Sequence, residues 1–189
     1  GHKVIRLNHL GDWGTQFGML IFYLKRLYVY FVFFDFRYFI FFCINILTHY
    51  YQESNKFFCL YFFKISSFNE ILFLQQMKNV NSFLLWKEIC FISKNYFKYL
   101  YMKLNIKLID RGESFYNFYF LNILQILQRK NLLYYSRGAK CISIALENSK
   151  MYYNAIICKR NGGLNYMATD LASLHYRIAV DKCNSTIYV

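Results

Sequence analysis

Proline is missing altogether from this 189-residue chain, where an average protein would carry roughly 5%. Glycine occurs only at Gly1, Gly11, Gly14, Gly18, Gly112, Gly138, Gly162 and Gly163, with none between Gly18 and Gly112. Beside these gaps stand 19 Tyr, 21 Phe and many Asn, Ile and Lys residues. Residues with A/T-rich codons are in excess and those with G/C-rich codons are scarce. The composition therefore reads as codon bias in an AT-rich genome, and the aromatic content records that bias before it records function. Glycine survives where the backbone needs it, for a positive φ or for close approach of chain or ligand.

Acidic residues are also short, with 10 Asp and Glu against 23 Lys and Arg and a net charge of +13. The excess favours polyanionic partners through phosphate neutralisation and counterion release. AAA codons would inflate Lys as well, so the charge supports an RNA partner without establishing one. The six cysteines, Cys43, Cys59, Cys90, Cys141, Cys158 and Cys183, form no C-x-x-C pair, which excludes the usual zinc-ligand spacing. Scattered reduced thiols of an intracellular protein are expected. His2, His9, His49 and His175 make no paired metal motif either, so no protein-held metal is expected. The start, Gly1-His2-Lys3, shows no secretory signal and reads as cut from something longer, since it lacks an initiator Met.

Residues 22–50 are almost uniformly apolar. Leu27 to Leu47 reaches the ~20 residues needed to cross a bilayer, but Asp35 and Arg37 lie near its middle, each costing roughly 2.5–3.5 kcal/mol on insertion scales. Three readings stay open: a lineage-specific insertion, non-coding sequence translated in frame, or a transmembrane helix.

Elsewhere the pattern is that of an α/β protein. Residues 3–7, KVIRL, read as a buried strand delivering a loop, and Phe17-Gly18-Met19-Leu20-Ile21 as a helix start. Strand, glycine loop and helix in that order suit the nucleotide-binding crevice of a doubly wound sheet. Residues 86–109 carry apolar side chains at helical spacing and end in a short strand, and residues 118–134 read as a second apolar helix closed by a turn at Arg137-Gly138-Ala139. Ala155 to Cys158 is a short strand, Lys159 to Gly163 a hairpin-type turn, and Leu164 to Ile178 opens a helix with Thr169 or Asp170 as its N-cap.

Three segments carry chemistry. Asn8 to Ile21 reads NHLGDWGTQFGMLI, Asp110 to Asn117 reads DRGESFYN, and Asn161 to Arg177 reads NGGLNYMATDLASLHYR. Taken alone, a Tyr and an Asp four apart are a packed aromatic beside a capping acid, Glu113 is a solvated turn carboxylate, Trp13 is core and Asp12 a structural cap. Together the segments resemble the arginyl-tRNA synthetases: the first is similar to the stretch after their ATP-binding signature, the second to their RGESFY motif and the third to their arginine pocket. Tyr51-Gln52-Glu53-Ser54 is similar to the acidic helix of the connecting insertion. The resemblance covers residues 1–21, roughly 51–58, 68–137 and 154–189.

This resemblance implies a Rossmann-like class I synthetase catalytic core, present as a fragment, with a connecting insertion. Residues 1–21 would start the core, 22–50 form an apolar insertion of uncertain status, 51–110 a helical connecting insertion, and 111–189 the second part of the core with the arginine pocket. The implied activity is arginine–tRNA ligation, using ATP with Mg²⁺, with L-arginine and tRNA(Arg) as partners, no DNA and no membrane partner, in the cytoplasm or an organelle. Tyr166, Asp170 and Glu113 would bind the substrate arginine. His9, Gly11, Asp12, Trp13 and Gln16 would line the active-site floor near ATP or the tRNA end.

Departures from the family pattern qualify this. The His-x-Gly-His signature would lie before Gly1 and the Gln completing the arginine pocket beyond Val189, while the Lys-Met-Ser-Lys-Ser-like loop and the anticodon-binding domain are missing. Asn161 replaces an Asp, and Met167-Ala168 replace more polar residues. The fragment alone is expected to be inactive. Alternatives are a non-catalytic remnant binding RNA or a partner through its basic surface, and a membrane-associated protein.

Overall fold

The computed structural model describes residues 1–30, 44–76, 79–145, 152–160 and 162–188. Most of the Leu27 to Leu47 span, with Asp35 and Arg37, lies outside them, as does Asn161. Among the described residues no helix is long and apolar enough to cross a membrane. The chain divides into two compact units, Gly1–Asp110 and Arg111–Val189, and the α/β class read from the sequence holds in their mixture of helices and strands.

The first unit begins with strand β1 (Leu7–Leu10), followed by helices α1 (Thr15–Tyr30), α2 (Ile44–Phe57), α3 (Tyr61–Gln76) and α4 (Val80–Lys103), and ends in the start of β2 (Ile109–Gly112). The first strand lies later than the apolar pattern indicated: Val4 is 70% exposed, while the polar Asn8 and His9 are inside the strand. Polar contacts explain the shift. The Asn8 side-chain amide donates to the Tyr101 hydroxyl, which itself donates to Asp110 at 2.9 Å, and the Ile109 amide donates to the Arg6 carbonyl at 3.0 Å. These bonds hold β1 beside β2 where hydropathy alone would have ended the strand.

Gly14, at φ 105°, sits in the left-handed region that an L side chain rarely adopts and turns the chain into α1. Four residues on, Gly18 faces α3 so closely that a Cβ there would lie 2.2 Å from the Ser67 carbonyl and 2.6 Å from Ile71. Leu20, Ile21 and Leu24 of α1 meet Leu47 of α2 and Leu85, Ile89 and Ile92 of α4 in the core. Helix α4 starts six residues before Trp86 because Asn79, in extended conformation, accepts the Ser82 amide at 3.1 Å and caps the first turn. A buried polar triad ties three helices: Lys25 of α1 meets both Glu70 oxygens of α3 at 2.9 and 2.8 Å and Ser82 of α4 at 2.7 Å, and Ser82 donates to Glu70 at 2.6 Å.

The second unit runs from the end of β2 through a 3-10 turn (Glu113–Tyr116), α5 (Asn117–Arg129), β3 (Leu133–Ser136), β4 (Ala139–Ala145), β5 (Tyr152–Cys158) and α6 (Tyr166–Ala179). Strands β3, β4 and β5 form an antiparallel sheet in that order. The β3–β4 turn is the expected one at Arg137-Gly138, with both residues at positive φ, as a two-residue hairpin of right-handed twist requires. Helix α5 ends earlier than its apolar pattern, at Arg129, because Asn131 turns to φ 53° and Leu133 enters β3. Phe120 of α5 and Ala168 of α6 pack with Ile142, Ala155 and Ile157 of the sheet.

Two stability outcomes follow from the first unit. Gly18→Ala forces a methyl group against backbone that cannot yield as a side chain tip would, and is expected to cost about 2 kcal/mol, read from the urea midpoint at unchanged m-value. Lys25→Met strands the Glu70 carboxylate, 6% exposed, and is expected to cost about 3 kcal/mol; full recovery in the Lys25→Met, Glu70→Leu double variant would assign the loss to the stranded charge.

Candidate arginine site

The third chemical segment is organised by the start of α6. Asn165, extended at φ −107° and ψ 161°, caps the helix, its side chain accepting the Tyr166 amide at 2.9 Å. Thr169 and Asp170, expected as caps, lie inside the helix instead. The cap is set by tethers to β5: the Asn165 amide donates to Ile157 and its side chain to Ile156. The turn before it closes as expected, with Lys159 and Gly162 amides bonded to Gly163 and Lys159 carbonyls and Cys158 bridging Leu164.

Because the helix already runs from Tyr166, Tyr166 and Asp170 do stand one turn apart on one side of it. The adjoining side, Ala168, Thr169, Ala172 and Ser173, is buried. The Thr169 hydroxyl donates to the Tyr166 carbonyl and the Ser173 hydroxyl to the Asp170 carbonyl, each at 2.8 Å, so the polar atoms of this small-residue face are spent within the helix. Tyr166 is 61% exposed and Asp170 half-buried: a rim ring and a partly desolvated carboxylate.

Glu113 is half-buried at the start of the 3-10 turn, which packs against α6. The contacts that hold the turn run through aromatic rings. Phe115 and Tyr116 meet Tyr176 of α6 at centroid distances of 5.1 and 5.7 Å, and Tyr116 is fully buried. Arg111, immediately before the turn, makes a bidentate ion pair with Asp181 just past α6, at 2.5 and 3.1 Å, and its guanidinium lies over the Phe115 and Tyr176 rings at 5.5 and 5.0 Å. The Asp181 bonds hold the Arg111 guanidinium well above its ordinary pKa against a smaller opposing effect of burial. Sequence reasoning did not single out Arg111 or Asp181. Arg111 opens the motif that contains Glu113, but nothing in the sequence links it to an acid seventy positions on.

The other candidate residues belong to the first unit. His9 is half-buried in β1; Gly11 is exposed, with open space where a Cβ would stand. Asp12 is buried, and its carbonyl accepts the Trp86 indole N–H at 2.7 Å. Trp13 packs on the helical core and meets Trp86 edge-on, centroids 6.0 Å apart at 80°. Trp86, one of only two tryptophans, is thus the brace of this loop, a role its place in a helical pattern did not announce. Gln16 is exposed on α1 at an apolar cavity of about 200 Å³ bounded by Phe17, Leu20, Ile44, Leu47, Thr48 and Tyr51. Asp12 and Trp13 thus gather at Trp86, while Gln16 lines the cavity beside α2.

A family model described as tRNA synthetases class I (R), catalytic domain, matches residues 1–189. The chain belongs to that family. The matched range takes in residues 22–50, where the sequence alone offered no resemblance. The chain is similar over its whole length to the Arginine–tRNA ligase of Protochlamydia amoebophila, 38% identical over 203 aligned residues, and to that of Crocosphaera subtropica, 37% identical over 199. It spans about a third of the length of these relatives, 32% in each case. Among solved structures, the arginyl-tRNA synthetase of Plasmodium falciparum matches 95% of this chain and 29% of its own, with a TM-score of 0.72 and 36% identity. The class I synthetase fold assignment made from the sequence therefore stands.

Burial on α4 shifts the titration of a thiol near the Asp12 loop. Cys90 of α4 is pushed up to about 12, first by burial and then by the charge of Asp12, with Lys94 opposing. A thiol raised in the folded state contributes stability that is complete below its ordinary value of 9.0 and is lost as pH climbs through about 12. Above pH 9 the stability of the wild type is therefore expected to fall toward that of Cys90→Ala, and urea midpoints of the two from pH 8 to 11 check it.

Proposed function

We propose that this chain carries the arginine-recognising part of an arginine–tRNA ligase. The observation that carries the reading is the pairing of Tyr166 and Asp170 on one turn of α6, flanking a buried helix face, with the Glu113 turn packed on the same helix. A guanidinium is planar, permanently charged and presents paired N–H donors that a carboxylate accepts in bidentate fashion. Asp170 takes that pair, its partial burial strengthening the contact; Tyr166 covers the rim, and Glu113 approaches as the second acid. A lysine side chain offers one compact ammonium and leaves a carboxylate lone pair unmatched, and a neutral urea-type analogue loses the charge.

The reaction proposed for the longer enzyme has two displacements. The arginine carboxylate attacks the α-phosphate of ATP, forming an O–P bond and releasing pyrophosphate; a terminal ribose hydroxyl of tRNA(Arg) then attacks the resulting acyl carbon and AMP leaves. Catalysis of this kind rests on positioning and charge stabilisation. His9, Gly11, Asp12, Trp13 and Gln16 form the floor near ATP or the tRNA end. The exposed, open position of Gly11 and the Trp86 brace on Asp12 support that role. Among the described residues no three His, Cys, Asp or Glu side chains gather where they could hold a metal ion. Mg²⁺ enters the proposal as a companion of the ATP phosphates, and no step here runs through it. The basic charge of +13 suits the tRNA, and the cytoplasm, where translation proceeds, is the proposed site of action.

Titration calorimetry of the 189-residue chain with L-arginine tests the pocket. Asp170→Asn is expected to weaken binding by roughly 100-fold, the scale of losing one partner of a desolvated charge pair, with an unchanged melting profile. Equal affinity in Asp170→Asn overturns the assignment. Arginine-dependent pyrophosphate exchange is expected to be absent from the same 189 residues, which span a third of their relatives.

A further inference from the structure

The ion pair between Arg111 and Asp181 is built with more care than a surface contact. Its side chains are only 17% and 10% exposed, both guanidinium Nη atoms are used, and two aromatic faces cover the cation. Asp181 is itself held in place, because its amide shares the Tyr176 carbonyl with that of Val180. Tyr176 thus supports both partners, its carbonyl fixing the acid and its ring covering the base.

What this arrangement restrains is specific. Arg111 is two residues before Glu113, and Asp181 follows the helix that carries Tyr166 and Asp170. Closing the pair draws the start of the 3-10 turn onto α6, and Phe115 and Tyr116 lock it there through Tyr176. The same pair disposes of a competitor. Asp181 is a carboxylate on the unit that is proposed to bind a guanidinium, and Arg111, an internal guanidinium, saturates it in the geometry a free arginine would use.

We infer that Arg111 and Asp181 are positioning residues of the arginine site: an internal guanidinium–carboxylate latch that seats Glu113 on α6 and keeps the Asp181 carboxylate from diverting the ligand. The inference rests on the arginine reading of Tyr166, Asp170 and Glu113. Arg111→Lys keeps the charge and loses the second N–H bond and the flat face over Phe115 and Tyr176. Arg111→Ala leaves a slot bounded by two rings and Asp181 that fits a small guanidinium ion.

The experiment is calorimetric titration of L-arginine into the wild-type chain and its Arg111→Lys, Arg111→Ala, Asp181→Asn and Asp170→Asn variants, with melting followed on each. Arg111→Lys and Asp181→Asn are expected to weaken arginine binding by about tenfold or more, the scale of misplacing a binding group, at temperatures where both remain folded. In Arg111→Ala, millimolar methylguanidinium is expected to restore arginine affinity and raise the melting temperature, and methylammonium to do neither. A purely structural pair would not show that selectivity at unchanged folding. Wild-type affinity in folded Arg111→Lys, with Asp170→Asn inactive, overturns the latch and leaves the arginine reading standing. Rescue of Arg111→Ala by both cations or by neither overturns the latch as well. No arginine binding by the wild type, or equal binding by Asp170→Asn, overturns the arginine reading and the latch with it.

Discussion

The candidate site depends on how closely α6 can lie on the sheet, α5 and the 3-10 turn. Ala168, Ala172 and Ser173 are fully or almost fully buried; Ala168 packs on Ile142, Ala155 and Ile157 of the sheet and Ala172 on Tyr116 and Ile123, and residues of that size let the helix backbone approach its neighbours without a gap. A large side chain at any of them would lift the helix and carry Tyr166 and Asp170 outward, away from the turn that bears Glu113. Thr169 and Ser173 return their hydroxyls to the helix's own carbonyls, so the close contact leaves no polar atom of theirs stranded. The apolar bulk that elsewhere dominates the chain is kept off this face.

A second dependence is electrostatic. The unit holding the candidate site manages two kinds of carboxylate: Asp181 is saturated by an internal arginine, while Asp170 sits half-buried at the edge of the α6 face. The strength of a bidentate guanidinium contact grows as water is removed, which makes an unmanaged acid in the same unit a hazard for specificity. Holding Asp181 with a permanent internal cation is a local solution that needs no further domain.

Legibility from the sequence followed the range of the interactions. Local geometry was readable because it is decided within a few residues: the Arg137-Gly138 turn and the placing of Tyr166 and Asp170 one helical turn apart are each fixed by neighbours in sequence. The roles of Tyr166, Asp170 and Glu113, by contrast, were suggested only by the family resemblance of the surrounding motifs. Gly18 was readable because glycine is so scarce that its survival asks for a reason. The N-cap of α6 was missed because Asn, Thr and Asp are near equals as caps, and only the bonds from Asn165 to β5 decide among them. The position of β1 was missed because Asn8 is held by Tyr101, ninety-three residues away. The Arg111–Asp181 pair and the Lys25, Glu70 and Ser82 triad left no trace in any local pattern.

That triad bears on how α1, α3 and α4 find one another. Helix α3 offers apolar side chains around much of its circumference, with Phe63 and Ile71 buried while Phe62 and Ile65 stay exposed, so burial by itself would accept several rotations of it. Turning α3 by one residue, about 100° in a helix of 3.6 residues per turn, would carry Glu70 away from Lys25 and Ser82 and leave the Lys25 ammonium at the helical core without its acid. One rotation closes the three-way bond, and the remainder are rejected by the penalty of an unmatched ion. A helix whose hydrophobic face is ambiguous thereby acquires a single address.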